Sequence, residues 1–389
     1  MSTTKVPTKV PLWRDDRFWK ITFQILAIIT VLVIADFFLF NLRLNMAKRG
    51  SLFGFDFLGS QASFDIGEYL IPFQSQDAYG RAFLVGVLNS LKVMIIGVIL
   101  TTILGVSVGI ARFSNNWLVQ KTVSTYVDLF RNTPILLQLL FWYFAVFSNL
   151  PKIENQIAVL GSFYISNRGL ALPWLGDSPT AWSSLLGLIA LAIAAFFVWQ
   201  QRIKIMVEQG ASGQNLLLVL LGMGVVALIL FIFGLQWTFP VFTAGNKLNG
   251  GLSLSAEYCS LLLGLVFYTG AFVSEIVRAG IQSVAKGQWE AAKALGLNSG
   301  ILMRLVIFPQ ALRVMIPPLT SEYLNLCKNS SLAIAIAYPD VYAVSSTILN
   351  QTGRAIEIVL MIMATYLLIN LIIALAMNFL NSSVQIKER

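Results

Sequence analysis

Eight separate apolar runs, each about as long as a bilayer core is thick, constrain this chain more than any other feature. They cover residues 21–40, 84–110, 123–147, 181–199, 216–235, 258–273, 311–337 and 358–380. A helix needs about 20 apolar residues to cross the hydrocarbon layer. In that solvent each segment must satisfy its own backbone polar groups, which favours helices. The expected fold is therefore an all-α integral membrane protein with about eight transmembrane helices. Composition agrees, since 57% of the 389 residues are hydrophobic and 12% are charged, about half the charged share of a soluble domain. The third and seventh runs contain charge and proline. Basic residues precede the first run as in a signal peptide. It exceeds the roughly 7–15 residues of such a peptide's apolar region, and no small-x-small cleavage pattern follows, so it reads as an uncleaved anchor.

Charge sets an orientation. With the N-terminus in the cytoplasm, inner segments hold 16 of the 27 Lys and Arg and outer segments hold eight. Lys92, Arg131 and Lys328 fall within spans. The excess predicts both termini in the cytoplasm. The same asymmetry accounts for the net charge of +9; no basic run is interleaved with base-stacking aromatics, so nucleic acid is not an expected partner. The chain has no histidine. That excludes a Ser-His-Asp triad and histidine-containing zinc sites, and no catalytic or metal-binding residues are assigned. Cys259 and Cys327 both lie in apolar runs and read as free thiols. No G-x-x-x-x-G-K-[ST] phosphate loop occurs, so any ATP hydrolysis must take place on another protein.

The layout divides into four parts. Residues 1–83 form an anchor and a polar outer segment containing Gly54, Gly59 and Gly67. Residues 84–150 and 255–389 carry most of the remaining spans. Between them, 151–254 holds a loop with Pro151, Pro173 and Pro179, then two nearly uncharged spans joined by a polar linker at 200–214. No internal repeat is visible. Within the last part, 278–309 is a polar loop. Trp289, Ala292 and Gly296 share one helix face there. The alanines around them favour helix, and Gly296 suits a left-handed C-terminal turn. Pro309 can begin the next helix, where its missing N–H costs little.

From Phe267 the chain reads FYTGAFVSEIVRAGIQSVAKGQWEAAKALGLNSGILMRLVIFPQALRVMIPPLTSEYLNLCKNSSLAIAIA. This resembles the polar amino-acid branch of permease subunits in bacterial ABC importers. Members carry a pattern like AEIxRGGIxSVxxGQxEAAxALG, then VILPQAxRxxxPPL, then LxKxTSL. The stretch FRNTPILLQ at 130–138 is similar to the family's RGTPLLVQ element. The resemblance extends over about 84–150 and 255–380. Departures are mild: Ser274, Ala279, Asn132, Phe308 and Ser330 stand where the pattern has Ala, Gly, Gly, Leu and Thr.

The resemblance implies a type I ABC importer permease core of five spans, to which the first, fourth and fifth spans are additions. The larger layout is similar to the general L-amino-acid permeases, in which two different permease chains pair. The implied function is ATP-driven amino-acid uptake across the bacterial inner membrane. The implied partners are a second permease subunit, a dimer of ATP-binding subunits holding ATP and Mg, and a periplasmic amino-acid-binding protein. No cofactor is implied on this chain. Gly287, Glu290, Ala291, Ala292, Gly296 and Pro309 would form the coupling loop that the ATPase grips. The substrate could instead be an opine or a peptide. An ion-gradient-driven transporter would show related halves, which this chain lacks, and an intramembrane enzyme would need a catalytic set that it lacks.

Ionisable groups inside spans need a reason, since each costs roughly 2.5–3.5 kcal/mol on insertion scales. Glu322 lies about 20 Å of helix beyond Pro309, and Lys328 about 9 Å further. An amino-acid zwitterion wants an acceptor for its ammonium, which Glu322 could supply. It also wants a donor for its carboxylate, from Arg131, Lys328 or a helix N-terminus near Thr133 and Pro134. The alternative is structural, with Glu322 paired to Lys328 or Arg131. Pro317 and Pro318 are expected to interrupt the helix between them and the loop. Asp36, Lys92 and Glu357 lie nearer span ends and are expected to snorkel. Glu275 and Arg278 are expected to pair and brace the loop.

Overall fold

The computed structural model describes residues 16–48, 53–208, 212–243 and 247–384. Lys5, Lys9, Arg14, Arg49, Lys387 and Arg389, which enter the charge count, lie outside these stretches, as do parts of 41–83 and of the 200–214 linker. Among the described residues, seven helices are long and apolar enough to cross a membrane, or eight if one bent pair counts as a span. The first helix, α1, runs Asp16–Lys48.

The centre of the bundle is the pair α2 (Tyr79–Ala111) and α7 (Ala256–Gln282). They run parallel, because Gly97 approaches Leu262, Gly105 approaches Val273 and Gly109 approaches Val277. The approach is close enough to exclude side chains. A Cβ on Gly105 would lie 2.4 Å from Val273 Cγ1, and one on Gly109 would lie 2.7 Å from Val277 Cβ. Small residues one turn apart let helices pack where lipid gives no hydrophobic drive. Gly109→Leu is therefore expected to destabilise the fold by about 1–3 kcal/mol or more, as overpacking does. Thermal unfolding of the detergent-solubilised chain measures this, and an unchanged midpoint would contradict the seam.

Helix α10 (Phe308–Asn329) is antiparallel to both, with Gly280 of α7 against Ala311 and Met315, and Leu326 against Gly97. It continues through Pro317 and Pro318, where an interruption was expected. Both prolines sit on its exposed side, while Met315, Ile316 and Leu319 are buried on the other and hold it in place. The ascent also starts before Pro309. A one-turn helix, α9 (Ser299–Leu302), is capped by Asn298, whose Oδ1 accepts from Ile301 N at 2.9 Å. A π-turn at Met303–Ile307 then leads into α10, and such a turn accommodates the missing donor of a proline.

The third expected span is an elbow. Helix α3 (Trp117–Asn132) and helix α4 (Ile135–Leu140), which continues in tighter and looser turns to Asn149, meet at 108°. Thr133 is extended, as residues before proline tend to be, with φ −105° and ψ 128°. Gln138 Nε2 donates to the Phe130 and Thr133 carbonyls at 2.9 Å each, satisfying groups that the break exposes. In chain order α5 (Pro179–Glu208) and α6 (Gln214–Ile229) come between α4 and α7, packed on each other. Short strands flank them: β1 (Ile157–Val159), β2 (Phe163–Ser166), β3 (Gly169–Leu172) and β6 (Leu252–Ser255) form one antiparallel sheet in that order. Strands β4 (Val241–Thr243) and β5 (Lys247–Asn249) form another. These are the non-helical parts of 151–254 that hydropathy does not register. The short α11 (Val341–Thr352) and the final α12 (Ala355–Val384) complete the chain. Helices α2, α7 and α12 share one direction and α10 opposes them, which agrees with the alternation expected from the sequence.

Candidate functional site

The loop between α7 and α10 folds into helix α8 (Lys286–Ala294). Its end is closed by two backbone bonds, Gly296 N to Lys293 O at 2.9 Å and Leu297 N to Ala292 O at 3.2 Å. This is the Schellman pattern, which needs a left-handed residue after the cap. Gly296 supplies it at φ +72°. No atom lies within 4 Å of where its Cβ would be, so conformation and not space demands the glycine. Gly287 has equal room and an ordinary φ, so nothing within this chain requires a glycine there.

The two faces of α8 differ. Ala292 is 4% exposed and sits in a cluster with Val277, Ile281, Leu302, Ile307 and Met315, against which Trp289 and Leu297 also pack. The opposite face is outward: Gly287, Glu290, Ala291, Lys293 and Gly296 are exposed, and Leu295 is 79% exposed. Ala292 therefore seats α8 on its own bundle and is not part of an outward grip, which corrects that expectation. Neither Glu290 nor Lys293 has a hydrogen-bonding or ionic partner among the described residues. Pro309 is exposed and stands at the start of α10, two residues past Ile307.

A charged junction lies one turn or two inside the same end. Glu275 accepts from Arg112 Nη1 at 2.5 Å and from Arg278 Nε at 3.1 and 3.2 Å, with a further short bond from Arg278 Nη2. Arg131 Nη1 stands 4.0 Å from the same carboxylate, its guanidinium 5.1 Å from the Phe272 ring centroid. The expected Glu275–Arg278 pair is present. Arg112, which sequence reasoning counted only as a loop charge, joins it from the end of α2.

Glu322 is half-buried and makes no ion pair within 4.0 Å and no hydrogen bond among the described residues. Its structural alternative, a pair with Lys328 or Arg131, is not formed. Lys328 is exposed and six residues further along α10, which points it to another face. Glu322 is thus an open acceptor on α10, and Arg131 a loosely held donor at the elbow. Thr133 and Pro134 build the elbow: Thr133 Oγ1 donates to Leu129 O at 2.8 Å, and Pro134 is the N-cap of α4. Thr133 also lines a cavity of about 340 Å³ with Phe130, Gln138 and Trp142.

Two expected snorkelling charges are instead enclosed. The Glu357 side chain is 2% exposed and accepts from Gly54 N at 3.1 Å. The Lys92 side chain is 13% exposed and paired. Outside the spans, Asp340 caps α11 by accepting from Ala343 N at 2.8 Å. Burial pushes its carboxyl up to about 7, opposed by that backbone bond. Burial likewise raises the Tyr338 phenol. No group of three or more metal-ligating side chains occurs among the described residues.

Comparison with known proteins gives consistent findings. Residues 97–386 match the family described as "Binding-protein-dependent transport system inner membrane component". The chain is 43% identical to the "Putative amino-acid ABC transporter permease protein YhdX" of Escherichia coli K12, over 94% of each chain. It is 42% identical to the "General L-amino acid transport system permease protein AapQ" of Rhizobium johnstonii, over 96% of this chain and 94% of that one. It is 38% identical to the "Glutamate/glutamine/aspartate/asparagine transport system permease protein BztB" of Rhodobacter capsulatus, over 96% of each.

Proposed function

The chain belongs to the family of binding-protein-dependent transport system inner membrane components, and from that premise we propose that it is one membrane-spanning subunit of an ATP-driven amino-acid importer. The observation that carries this reading is α8: a helix seated by Trp289, Ala292 and Leu297 on its own bundle, with an unpartnered outward face. Such a face suits a separate ATPase. The full-length similarity to amino-acid permeases favours this reading over a secondary transporter or an intramembrane enzyme. ATP and Mg would then be held by the ATP-binding subunits, and this chain performs no covalent step. A periplasmic binding protein would deliver substrate, and a second, different permease chain would complete the path. In this reading α8 and both termini lie in the cytoplasm, which the basic excess supports.

Within this reading, Glu322 receives the ammonium of the passing amino acid and Arg131 its carboxylate, while Lys328 stays outside the path. A charge-assisted hydrogen bond is worth about 1.5–3 kcal/mol, or roughly 10–100-fold in affinity. Glu322→Gln is expected to reduce amino-acid uptake by that order while the ATPase still co-purifies. Loss of co-purification in this variant would make Glu322 a structural residue. Unchanged uptake would remove it from the path altogether.

A further inference from the structure

Residues 53–78 belong to no motif, yet they are wedged into the bundle at the end opposite α8. Phe57, Ala62, Ile66 and Phe73 are buried with Tyr79 and Val85 of α2, Val344 and Ile348 of α11, and Ile358 of α12. From this wedge Glu68 reaches inward. Its Oε1 accepts from Lys92 Nζ at 2.5 Å, and its Oε2 accepts a short bond from Ser255, the N-cap of α7. Its backbone carbonyl accepts from Asn89 Nδ2 at 2.8 Å, and the same amide donates to Pro339 O at 2.9 Å. Lys92 Nζ also lies 4.1 Å from the Tyr258 ring centroid. The Glu68 side chain thus ties α2 to the start of α7, while its backbone carbonyl shares Asn89 with the turn before α11.

Three features distinguish this junction from an ordinary brace. Lys92 stands 13 residues into α2, about 20 Å along it, and its counter-charge comes from a segment outside the helices. A buried ion pair is weak as a stabiliser compared with apolar packing and is best attested in register or switching roles. The neighbouring turn, which Asn89 bonds at Pro339 O, is conformationally loaded: a seven-residue 3₁₀ run at Ser330–Ile336 ends at Ala337 with φ +59°. Long 3₁₀ runs mark hinges, and left-handed non-glycine residues store strain. Finally, a cavity of about 590 Å³ lies beside the junction, walled by the wedge at Phe64 and Glu68, by Ser255, and by Ser346 and Thr347 of α11.

We propose that residues 53–78 are a strap across the outer mouth of the permease and that Glu68–Lys92 is its latch, closed at rest and broken when the outer mouth opens. The proposal rests on the importer reading. Breaking the latch frees the Glu68 segment from α2 and loosens its hold on the start of α7 and, through Asn89, on the turn before α11, so the mouth opens without the docked binding protein.

The test uses the whole complex, with ATPase, both permease chains and binding protein, reconstituted in liposomes. Without binding protein, Glu68→Gln and Lys92→Met are each expected to raise ATP hydrolysis about tenfold, and the exchange Glu68→Lys with Lys92→Glu to return it towards the original rate. A second arm places cysteines at Gly67 and Thr347, across the cavity, joined by a reducible bifunctional thiosulfonate. Uptake of L-glutamine should stop on cross-linking and resume on reduction. Unaltered hydrolysis in the folded single variants, or full uptake by the cross-linked complex, overturns the latch. Absence of any stimulation by binding protein in the unsubstituted complex would overturn the importer reading itself.

Discussion

A chain carrying Glu290→Lys and Leu295→Asp is expected to fold and insert normally but to lose its ATPase and all ATP-driven uptake. Both side chains lie on the outward face of α8, and Leu295 is 79% exposed. Glu290 makes no bond within the chain among the described residues, so stability should change by about 0.5 kcal/mol or less. Interface anchors typically contribute about 2 kcal/mol or more each. Two lost together weaken docking by roughly a thousandfold. Affinity co-purification and proteoliposome uptake measure the effect. Ala292→Asp makes the informative contrast, because Ala292 is 4% exposed and packed against the bundle. It should unseat α8 and lower the unfolding midpoint as well. If the double variant takes up amino acid at the normal rate, the outward face of α8 is not the ATPase site.

The second large effect is expected at the charged junction. Glu275→Leu would leave Arg112, Arg131 and Arg278 around an apolar side chain. Removing one partner of a fully buried pair costs about 3–5 kcal/mol. The Arg112 and Arg278 side chains are 18% and 30% exposed, so solvent screens part of this, and about 2–3 kcal/mol is expected. That is enough to deplete the chain from the membrane. Adding Arg112→Leu should recover part of the loss, because replacing a whole pair by apolar residues is tolerated better than breaking it. The unfolding midpoint in detergent and the amount of chain in membranes report both steps. No recovery in the double variant would mean that Arg112 has a role beyond pairing Glu275.

How much of this was legible in the sequence depends on the range of the interaction. Helix α8, the shared face of Trp289 and Ala292, and the left-handed Gly296 follow from rules that span a few residues; that this face turns inward does not. The spans are equally legible, because length and hydropathy suffice. Direction is not. Hydropathy reads 123–147 as one span because it cannot see that the carbonyls freed at Thr133–Pro134 are satisfied by Gln138. The apolar run in α7 stops at 273 although the helix continues to Gln282, because Glu275 and Arg278 interrupt the hydropathy. Pro317 and Pro318 mislead the other way, because buried neighbours override a local helix breaker. Arg112–Glu275 spans 163 residues and Glu68–Lys92 joins an irregular segment to a helix. No local spacing announces such pairs.

The seating of α8 has a mechanical consequence. Its inner face belongs to one packed cluster with Val277 and Ile281 of α7, Ile307 of the π-turn and Met315 of α10, and α7 and α10 run in opposite directions. Packed interiors scarcely compress. A displacement of α8 by the ATPase is therefore passed on without slack, as in a gear and not a spring. A geared transporter should waste little ATP between deliveries, and its ratio of substrate moved to ATP spent should stay constant as the opposing amino-acid gradient grows, until uptake stalls.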